Sequence, residues 1–240
     1  MPQLGPKRPG HKQMKTLESL EQFLGVQLRA WARCAKAQTP PQAGPVIAIT
    51  REPGCRGEAI ARLLAKKFGL VLYDAEIVEQ IAKDAHVSEQ VVATLSGKVS
   101  SELNVWLDDL SGGSGLSARN YLKCLRSVLF TIATHGNAVI LGRGANFLIP
   151  GARRTVGLCL VAPFETRVRH IMQTLSLSWK AASKHVARAD KEQKRWVSRY
   201  GQADITDAAH YHLVINTALV KADTIVQLVG AMITPAASVR

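Results

Sequence analysis

Two glycines in the segment TREPGCRGEAIA, residues 50–61, lie between a predicted strand and a predicted helix. The apolar run at residues 46–49 predicts the strand, and residues 58–68 predict the helix. Backbone N–H groups in such a loop, at a helix N-terminus, bind phosphate oxygens. In the usual phosphate loop, a lysine and then a serine or threonine come directly after the last glycine. Neither follows Gly57 here. The segment is therefore either a phosphate loop that takes its charge from another residue or a plain turn.

Further charged side chains fall where predicted strands end or on one face of a predicted helix. Arg143 stands between two glycines after the strand predicted at residues 138–142, so its side chain has room to reach a ligand. Asp74 ends the strand predicted at residues 70–74, either as a ligand-positioning residue or as a turn residue. Cations recur at helical i, i+3 and i+7 spacing in the basic stretch near residues 164–200, namely Arg188, Lys191 and Arg195. A solvated basic surface is the alternative for these three.

The elements that must position these residues alternate between short apolar strands and helices. This alternation through residues 45–240 predicts an α/β domain with a mostly parallel sheet covered on both faces. A sheet of this kind binds ligands beyond the carboxyl ends of its strands. The opening loop, Asp74 and Arg143 all follow such ends, so we expect them to meet in one crevice.

The N-terminal part has a different composition. Residues 1–15 hold three prolines and several cations, which predicts a disordered basic tail. Residues 16–44 predict an amphipathic helix, at about 17–37, followed by a proline-containing linker. The apolar face of this helix is expected to pack on the domain or on a second copy of the chain, which makes an oligomer possible. Binding to nucleic acid or to a membrane surface is the alternative.

Composition limits the classes of partner and of location. The net charge of +13 indicates anionic partners without choosing among phosphates, nucleotides, nucleic acid and acidic membranes. The four cysteines lie far apart in the sequence and suggest neither a zinc site nor a disulfide framework. No apolar run approaches the ~20 residues that cross a bilayer, and no secretory signal is evident. We therefore expect a cytoplasmic protein with reduced cysteines.

In their order and spacing, six segments resemble the cytidylate kinase-like family of P-loop nucleoside monophosphate kinases. They are ITREPGCRGEAIARLLAKKFG, LYDAEIVEQIA, AVILGRGANFLI, LVAPFETRVRHI, RADKEQKRW and YHLVINT, within residues 46–230. The resemblance implies a three-layer P-loop kinase fold with a parallel sheet of about five strands. It also implies an acceptor-binding helical insert at about 75–116 and a helical lid at about 164–205. ATP and Mg²⁺ are the implied donor and cofactor, and no protein metal site is implied.

The resemblance also implies roles for individual residues. The donor nucleotide would be bound by Arg51, Gly54, Cys55, Arg56, Gly57, Glu58 and Ala59. The acceptor would be bound by Asp74 and Arg143, and the lid would act through Arg167, Arg188, Asp190, Lys191 and Arg195. Arg169 and Lys194 are further lid candidates. The catalytic set would be Arg56, Arg143, Arg188 and Arg195, with Arg56 supplying the charge that the loop lysine gives elsewhere.

The cytidylate kinase-like branch commonly carries a lysine-free loop of the form R-E-x-G-S-G-G-x-x-I-A, and within it this chain has Cys55 and Arg56 where serine and glycine are typical. Compared with the cytidylate kinases proper, the chain departs at several further places. The loop lysine of cytidylate kinases falls at Gly57, and their Mg²⁺-binding hydroxyls fall at Glu58 and Ala59. No arginine stands near residues 79–80, where the related kinases hold the acceptor phosphate. Gly144 stands where those enzymes have the aspartate that reads the cytosine ring. The resemblance therefore implies a kinase while leaving its acceptor open.

Three functions remain open from the sequence. The first is an ATP-dependent phosphotransferase acting on a nucleoside monophosphate, with CMP as the acceptor that the family suggests. The second is a nucleotide-binding regulatory domain with little turnover, because the loop lacks its lysine and hydroxyl. The third is a basic protein that binds nucleic acid or a membrane surface; the net charge of +13 is compatible with it, but no regular interleaving of aromatic and basic residues supports it.

Overall fold

The central element of the structure is one five-stranded sheet in which all four described strand pairings are parallel. The computed structural model describes residues 22–23, 25–31, 44–83, 85–95, 103, 116–149 and 155–233; the predicted tail at 1–15 lies outside them. The strand order is β2-β3-β1-β4-β5. The predicted α/β fold with about five parallel strands is confirmed. The strands are β1 (Val46–Arg51), β2 (Val71–Tyr73), β3 (Ala138–Leu141), β4 (Thr155–Val161) and β5 (Leu213–Asn216).

Helices connect these strands and cover the sheet. The described helices are α1 (Gly57–Phe68), α2 (Ala75–Lys83), α3 (Ala85–Val92), α4 (Leu116–His135), α5 (Ala145–Leu148), α6 (Phe164–Leu175), α7 (Trp179–Tyr200) and α8 (Ala222–Ile233), with a 3-10 turn at Ala208–His210. The short helix α5, directly after Arg143, was not predicted from the sequence.

Alternating side chains of β1 build the two sides of the core, because successive residues of a strand point to opposite faces. Val46 and Ala48 join the apolar cluster that also contains the buried residues of α2 and α4. Ile47 and Ile49 join the cluster formed with α1 and α8. All four side chains are essentially inaccessible, so the middle strand is buried on both faces and the domain has three layers.

The long basic stretch predicted near residues 164–200 is two helices rather than one. Helix α6 ends where Ser176 takes a left-handed conformation with φ of 54°. Ser178 then caps α7, because its Oγ accepts a hydrogen bond from the Ala181 N–H at 3.3 Å. The two helices pack around a small buried cluster of their own, containing Val168, Ala182 and Val186. They form a helical hairpin that stands over the carboxyl ends of the strands.

The described N-terminal residues, 22–23 and 25–31, are helical and pack on the same chain. The Phe23 ring meets Tyr73 edge-on at 5.7 Å, and Trp31 stacks on His135 with ring centroids 4.6 Å apart. Trp31 is buried in the cluster on that side of the sheet. The apolar face of this segment is therefore used, at least in part, against its own domain. Within the described ranges, no helix is both long and apolar enough to cross a membrane.

Acid should weaken this packing through His135. Burial lowers the pKa of His135 from 6.5 to about 4. The unfolded chain therefore binds more protons than the folded one between these two pH values, so stability falls as the pH drops through this window. We expect the melting temperature to fall more steeply from about pH 7 to about pH 4.5 in the wild type than in His135→Phe, which keeps an aromatic ring and cannot titrate. Parallel pH profiles for the two proteins would contradict this assignment.

Candidate functional site

Two cavities open at the carboxyl ends of β1 and β3. The first, which we call the loop cavity, has a volume of about 420 Å³. It lies between the helical hairpin and the loop that joins β1 to α1, which we call the glycine loop. Its lining includes Arg51, Gly54, Arg56, Glu58, His170 and His185. The second, which we call the strand-end cavity, has a volume of about 400 Å³ and lies between the segment after β3 and α7. Its lining includes Arg51, Gly142, Arg143, Phe147, Gln193 and Trp196.

The glycine loop is held in a turn that leads directly into α1. Arg56 precedes the helix in a left-handed conformation with φ of 63°, and its side chain is exposed beside the loop cavity. A non-glycine residue in this conformation stores about 1 kcal/mol or more of strain, a feature that clusters at ligand-binding sites. Gly54 is also left-handed, and a Cβ there would lie 2.6 Å from the Arg167 carbonyl oxygen. The loop therefore fits closely against α6.

Cys55 is a buried residue of the glycine loop and packs in the core cluster beside α1. Its side chain is 1% exposed, and its carbonyl oxygen accepts a hydrogen bond from Thr217 Oγ1 at 2.9 Å. Burial raises the pKa of the Cys55 thiol to about 11. The thiol is thus neutral at ordinary pH and serves as a small buried side chain, while Thr217 ties the segment after β5 to the loop.

Arg167 is buried at the junction of the loop, β4 and the helical hairpin. Its guanidinium donates to Asp190 on α7 at 2.9 and 3.0 Å and, through Nε, to the Ala162 carbonyl at 3.0 Å. Nε also lies 3.2 Å from a carboxylate oxygen of Glu52, which in turn accepts from the Ala162 N–H at 2.9 Å. Arg167 and Asp190, both expected to act in the lid, therefore hold protein elements together.

Arg143 reaches the strand-end cavity from a constrained turn. Its φ is 49°, its Nε donates to the Ala75 carbonyl at 3.0 Å, and its guanidinium forms an ion pair with Glu79. Glu79 also pairs with Lys83 at 2.8 Å. Burial and, second, the nearby Arg51 charge lower the pKa of Arg143. The ion pair between Glu79 and Arg143 was not predicted, although Glu79 stands where the resemblance implies an acceptor arginine.

Asp74 and Glu58 have partners within their own helices. Asp74 Oδ1 accepts hydrogen bonds from the Glu76 and Ile77 N–H groups at 3.0 and 2.9 Å, so it caps the start of α2. Glu58 lies in the first turn of α1, where a carboxylate favours the helix dipole, and it is 3.6 Å from Arg62. Glu58 also lines the loop cavity, with Gly57 and Ala59 beside it. Asp74 is not among the described residues that line the strand-end cavity.

The predicted cationic face of α7 does not point at either cavity in this structure. Arg188 is exposed and lies 3.5 Å from Glu192, while Lys191, Lys194 and Arg195 are exposed as well. None of the four is among the described lining residues. Arg169, on α6, pairs with Glu165 at 3.2 Å, also at the surface. The basic residues that recur on α7 therefore form a solvated surface in this conformation.

A different face of α7 closes the strand-end cavity. Ala189, Gln193 and Trp196 line it, at i, i+4 and i+7 spacing. The Gln193 amide donates to the Arg51 carbonyl at 3.2 Å, and the Trp196 ring lies on Gly144. Sequence reasoning missed these residues because it followed the charges of the stretch. The helical spacing of the neutral side chains was the available signal.

Comparison with known proteins agrees with this geometry. The Cytidylate kinase-like family matches residues 46–219, which include the loop, both cavities and the helical hairpin. A search of curated proteins finds no match. An uncharacterized protein from Eubacterium ventriosum has a similar solved structure, with 19% identity, a TM-score of 0.54, and coverage of 79% of this chain and 98% of that one.

A second solved structure, shikimate kinase from Bacteroides thetaiotaomicron, is more distant. Its identity is 13% and its TM-score 0.44, with coverage of 78% of this chain and 97% of that one. The sheet order and the family match carry the assignment without it. The fold is a parallel α/β fold and the function is nucleotide kinase-like, because the chain belongs to the cytidylate kinase-like family.

Proposed function

We propose that the protein transfers the γ-phosphoryl group of ATP to a nucleoside monophosphate, with CMP as the first acceptor to test. The observation that carries this proposal is the pair of cavities on either side of Arg51, one formed by the glycine loop and one by the segment after β3. A phosphotransferase needs two such sites in contact, because the donor and the acceptor must lie in line at the point of transfer.

The loop cavity is the proposed donor site. The first turn of α1 lines this cavity through Gly57, Glu58 and Ala59, and the positive end of a helix dipole favours phosphate oxygens. Arg56 adds a cation at the rim, and His170 and His185 add imidazoles from the helical hairpin. A triphosphate bound here would carry its γ-phosphoryl group toward Arg51, at the boundary with the second cavity.

The strand-end cavity is the proposed acceptor site. Arg143 supplies a cation for the acceptor phosphate, and the Trp196 and Phe147 rings supply apolar surface for the rest of the molecule. Because Glu79 now pairs with Arg143, an acceptor phosphate would exchange with that carboxylate as it binds. Asp74 would contribute indirectly in this site, by fixing the start of α2.

The reaction needs no covalent enzyme intermediate. An oxygen of the acceptor phosphate forms a bond to the γ-phosphorus, and the bond between that phosphorus and the β–γ bridging oxygen breaks, with its electron pair leaving on ADP. A dianionic acceptor phosphate has no proton to lose, so the chain requires no general base. Its work is to orient both nucleotides, exclude water and stabilise the charge on the transferring group.

Mg²⁺ would be held chiefly by the phosphates of the donor and by water, as is usual for this ion. In the part of the chain that the structure describes, no three His, Cys, Asp or Glu side chains are grouped to hold a metal. Glu58 is the carboxylate of α1 that lines the loop cavity, and among the described residues its one ion pair, at 3.6 Å with Arg62, would compete with a ligand. When bound, the ion would neutralise charge on the donor phosphates.

The roles proposed for Arg188, Lys191 and Arg195 depend on a different position of the lid. All three are exposed in the present conformation, so they would contact phosphates only if α7 rotated or moved as the nucleotides bound. Arg167 and Asp190 tie α6 to α7 and to the loop. The proposal therefore depends first on Arg51, Arg56 and Arg143.

The Glu79–Arg143 ion pair favours a second candidate function. If the pair persists when nucleotides are present, the loop cavity would bind a nucleotide while the acceptor site stayed blocked. The protein would then be a nucleotide-binding regulatory domain without turnover. This alternative and the kinase make opposite predictions for an assay with both substrates.

The test is a coupled assay for ADP release with ATP, Mg²⁺ and a panel of nucleoside monophosphates. We expect turnover with at least one acceptor, and we expect Arg143→Met to lower kcat/KM by about 100-fold or more, because it removes a charged contact to the acceptor phosphate. Lys66→Met, in the last turn of α1, is the matched control and should leave the rate unchanged.

The outcomes separate the candidates. Nucleotide binding without ADP release under any acceptor would select the regulatory domain. Acceptor-dependent ADP release that survives in Arg143→Met would show that the strand-end cavity is not the acceptor site. Failure to bind any nucleotide would reject both candidates.

A further inference from the structure

The loop cavity and the strand-end cavity share Arg51, the last residue of β1. We propose that Arg51 contacts the transferring phosphoryl group at this junction and supplies the positive charge that the phosphate loop lacks. The inference rests on the proposed function and names a residue for the step at its centre. It also revises the expectation that Arg56 replaces the missing lysine.

The position of the Arg51 side chain depends on two glycines from separate loops. A Cβ on Gly57 would lie 2.7 Å from Arg51 Cβ and 2.8 Å from its Cγ. A Cβ on Gly142 would lie 2.8 Å from the guanidinium nitrogen Nη1. The side chain thus passes between the glycine loop and the segment after β3, and any larger residue at either glycine would displace it. Gly57, where related kinases carry their lysine, here makes room for Arg51.

The charge of the Arg51 guanidinium also favours an anion at the junction of the two cavities. No hydrogen bond or ion pair joins its guanidinium to a side chain within the described part of the molecule. Its neighbour Arg143 has Glu79, and the Arg51 charge is close enough to lower the pKa of Arg143. Of these two neighbouring guanidinium groups only that of Arg143 is paired with a carboxylate of the described residues, and an anion at the junction would relieve the repulsion between them.

The backbone of Arg51 is held in place by the sheet and by α7. Arg51 still belongs to β1, in register with Leu160 of β4, and its carbonyl accepts the Gln193 amide at 3.2 Å. A cation on a fixed strand needs little reorganisation as charge develops on the phosphoryl group. Arg56 differs from Arg51 in both its backbone and its place. It is exposed on a loop rather than part of a strand, and it lines the loop cavity but not the strand-end cavity. Arg56 is thus suited to phosphates that stay with ADP.

The test compares the affinities of ATP and ADP, measured by calorimetry with Mg²⁺, in wild type and variants. We expect Arg51→Met to weaken ATP by about 10–100-fold and ADP by less than about 3-fold, since the lost charge-assisted contact is to the γ-phosphate. Arg56→Met should weaken both nucleotides by similar factors. Lys66→Met, which removes an exposed cation in the last turn of α1, should change neither.

Two further variants keep the test decisive if Arg51→Met folds poorly. Arg51→Lys keeps the charge without the planar fork, and we expect it to retain part of the ATP preference. Gly142→Ala keeps the arginine in the sequence but brings a methyl group within 2.8 Å of its guanidinium nitrogen and so displaces that group, which should reduce the ATP preference as well. Circular dichroism and melting temperatures identify which variants are folded.

The results distinguish failure of this inference from failure of the proposed function. If the wild type binds ATP and ADP, and the ratio of their affinities is unchanged in Arg51→Met, Arg51 does not contact the γ-phosphate and the kinase proposal stands. The same holds if Arg56→Met alone abolishes the ATP preference. If the wild type binds neither nucleotide, the proposed function fails and the role of Arg51 fails with it.

Discussion

Replacing Arg167 with methionine should lower the free energy of unfolding by roughly 3 kcal/mol, which is the range for removing one partner of a buried ion pair. Arg167 is 5% exposed and holds Asp190, Glu52 and the Ala162 carbonyl at once. The variant leaves the Asp190 carboxylate and the Ala162 carbonyl without this donor, and Glu52 keeps its hydrogen bond from the Ala162 N–H. Both carboxylates are about a third exposed, at 30% and 36%, so water recovers part of the loss. Urea unfolding at neutral pH measures the difference.

Arg169→Met is the matched control, two residues along the same helix. Arg169 is 63% exposed and its pair with Glu165 is a surface pair between residues four apart, which contributes about 0.5 kcal/mol or less. Asp190→Asn keeps the size of the partner and should lose an intermediate amount. If Arg167→Met were no more destabilising than Arg169→Met, the contacts around Arg167 would not hold the hairpin on the domain.

The Arg167→Met variant should also bind nucleotides more weakly. Arg167 joins the helical hairpin to Glu52 and to the Pro53 carbonyl at the start of the glycine loop. Without it, the loop and the hairpin would lose their common support, and both walls of the loop cavity would become less defined. We expect ATP and ADP affinities to fall together in this variant, in contrast to the selective loss of ATP affinity in Arg51→Met.

The fold was predictable because the strands carry local signals. The run at residues 46–49 is apolar at every position, as expected for a strand buried on both faces, and the structure gives a strand there with helices on each side. The break between α6 and α7 was not predictable by the same means. It occurs at Ser176 without a glycine or proline, and a serine in a left-handed turn has no distinctive sequence signature.

The site was predictable only to the level of which loops meet. Parallel strands end at one edge of a sheet, so the loop after β1 and the segment around Arg143 were expected to lie together, and they line cavities that share Arg51. The environment of each arginine was not predictable. Arg167 and Arg188 are both cations of a basic stretch, yet one is buried against carboxylates and the other is solvated. Burial is decided by tertiary packing, which residue spacing does not encode.

Replacing Gly144 with alanine should destabilise the protein by about 1–3 kcal/mol, through two separable causes. Gly144 has φ of 64°, a conformation that costs an alanine about 1 kcal/mol or more. A Cβ there would also lie 3.0 Å from Trp196 Cη2 and closer still to Cζ3. Urea unfolding of Gly144→Ala, Trp196→Ala and the double variant separates these causes, because only the second disappears when the indole is absent.

We expect a coupling of about 1 kcal/mol between positions 144 and 196 in this cycle. Additive effects would mean that the Trp196 ring moves aside at no cost, and that contact with this ring is not what requires a glycine at position 144. Coupling would also fit the absence of the aspartate that the resemblance to cytidylate kinases implies at this place, because the Trp196 ring occupies the space beside Gly144. Under the proposed function, selectivity for the acceptor base would then come from other groups of the strand-end cavity.

The chemical consequence can be measured if the acceptor assay shows turnover. Gly144→Asp alone should lower the rate for every acceptor, because the new side chain and the indole compete for one place. Gly144→Asp combined with Trp196→Ala restores the room for the carboxylate, and it should raise the kcat/KM ratio of CMP to UMP relative to the wild type. An unchanged ratio in a folded, active double variant would show that the base lies elsewhere in the cavity. An increase would place the acceptor base beside Gly144 and identify Trp196 as the residue that sets acceptor specificity in this chain.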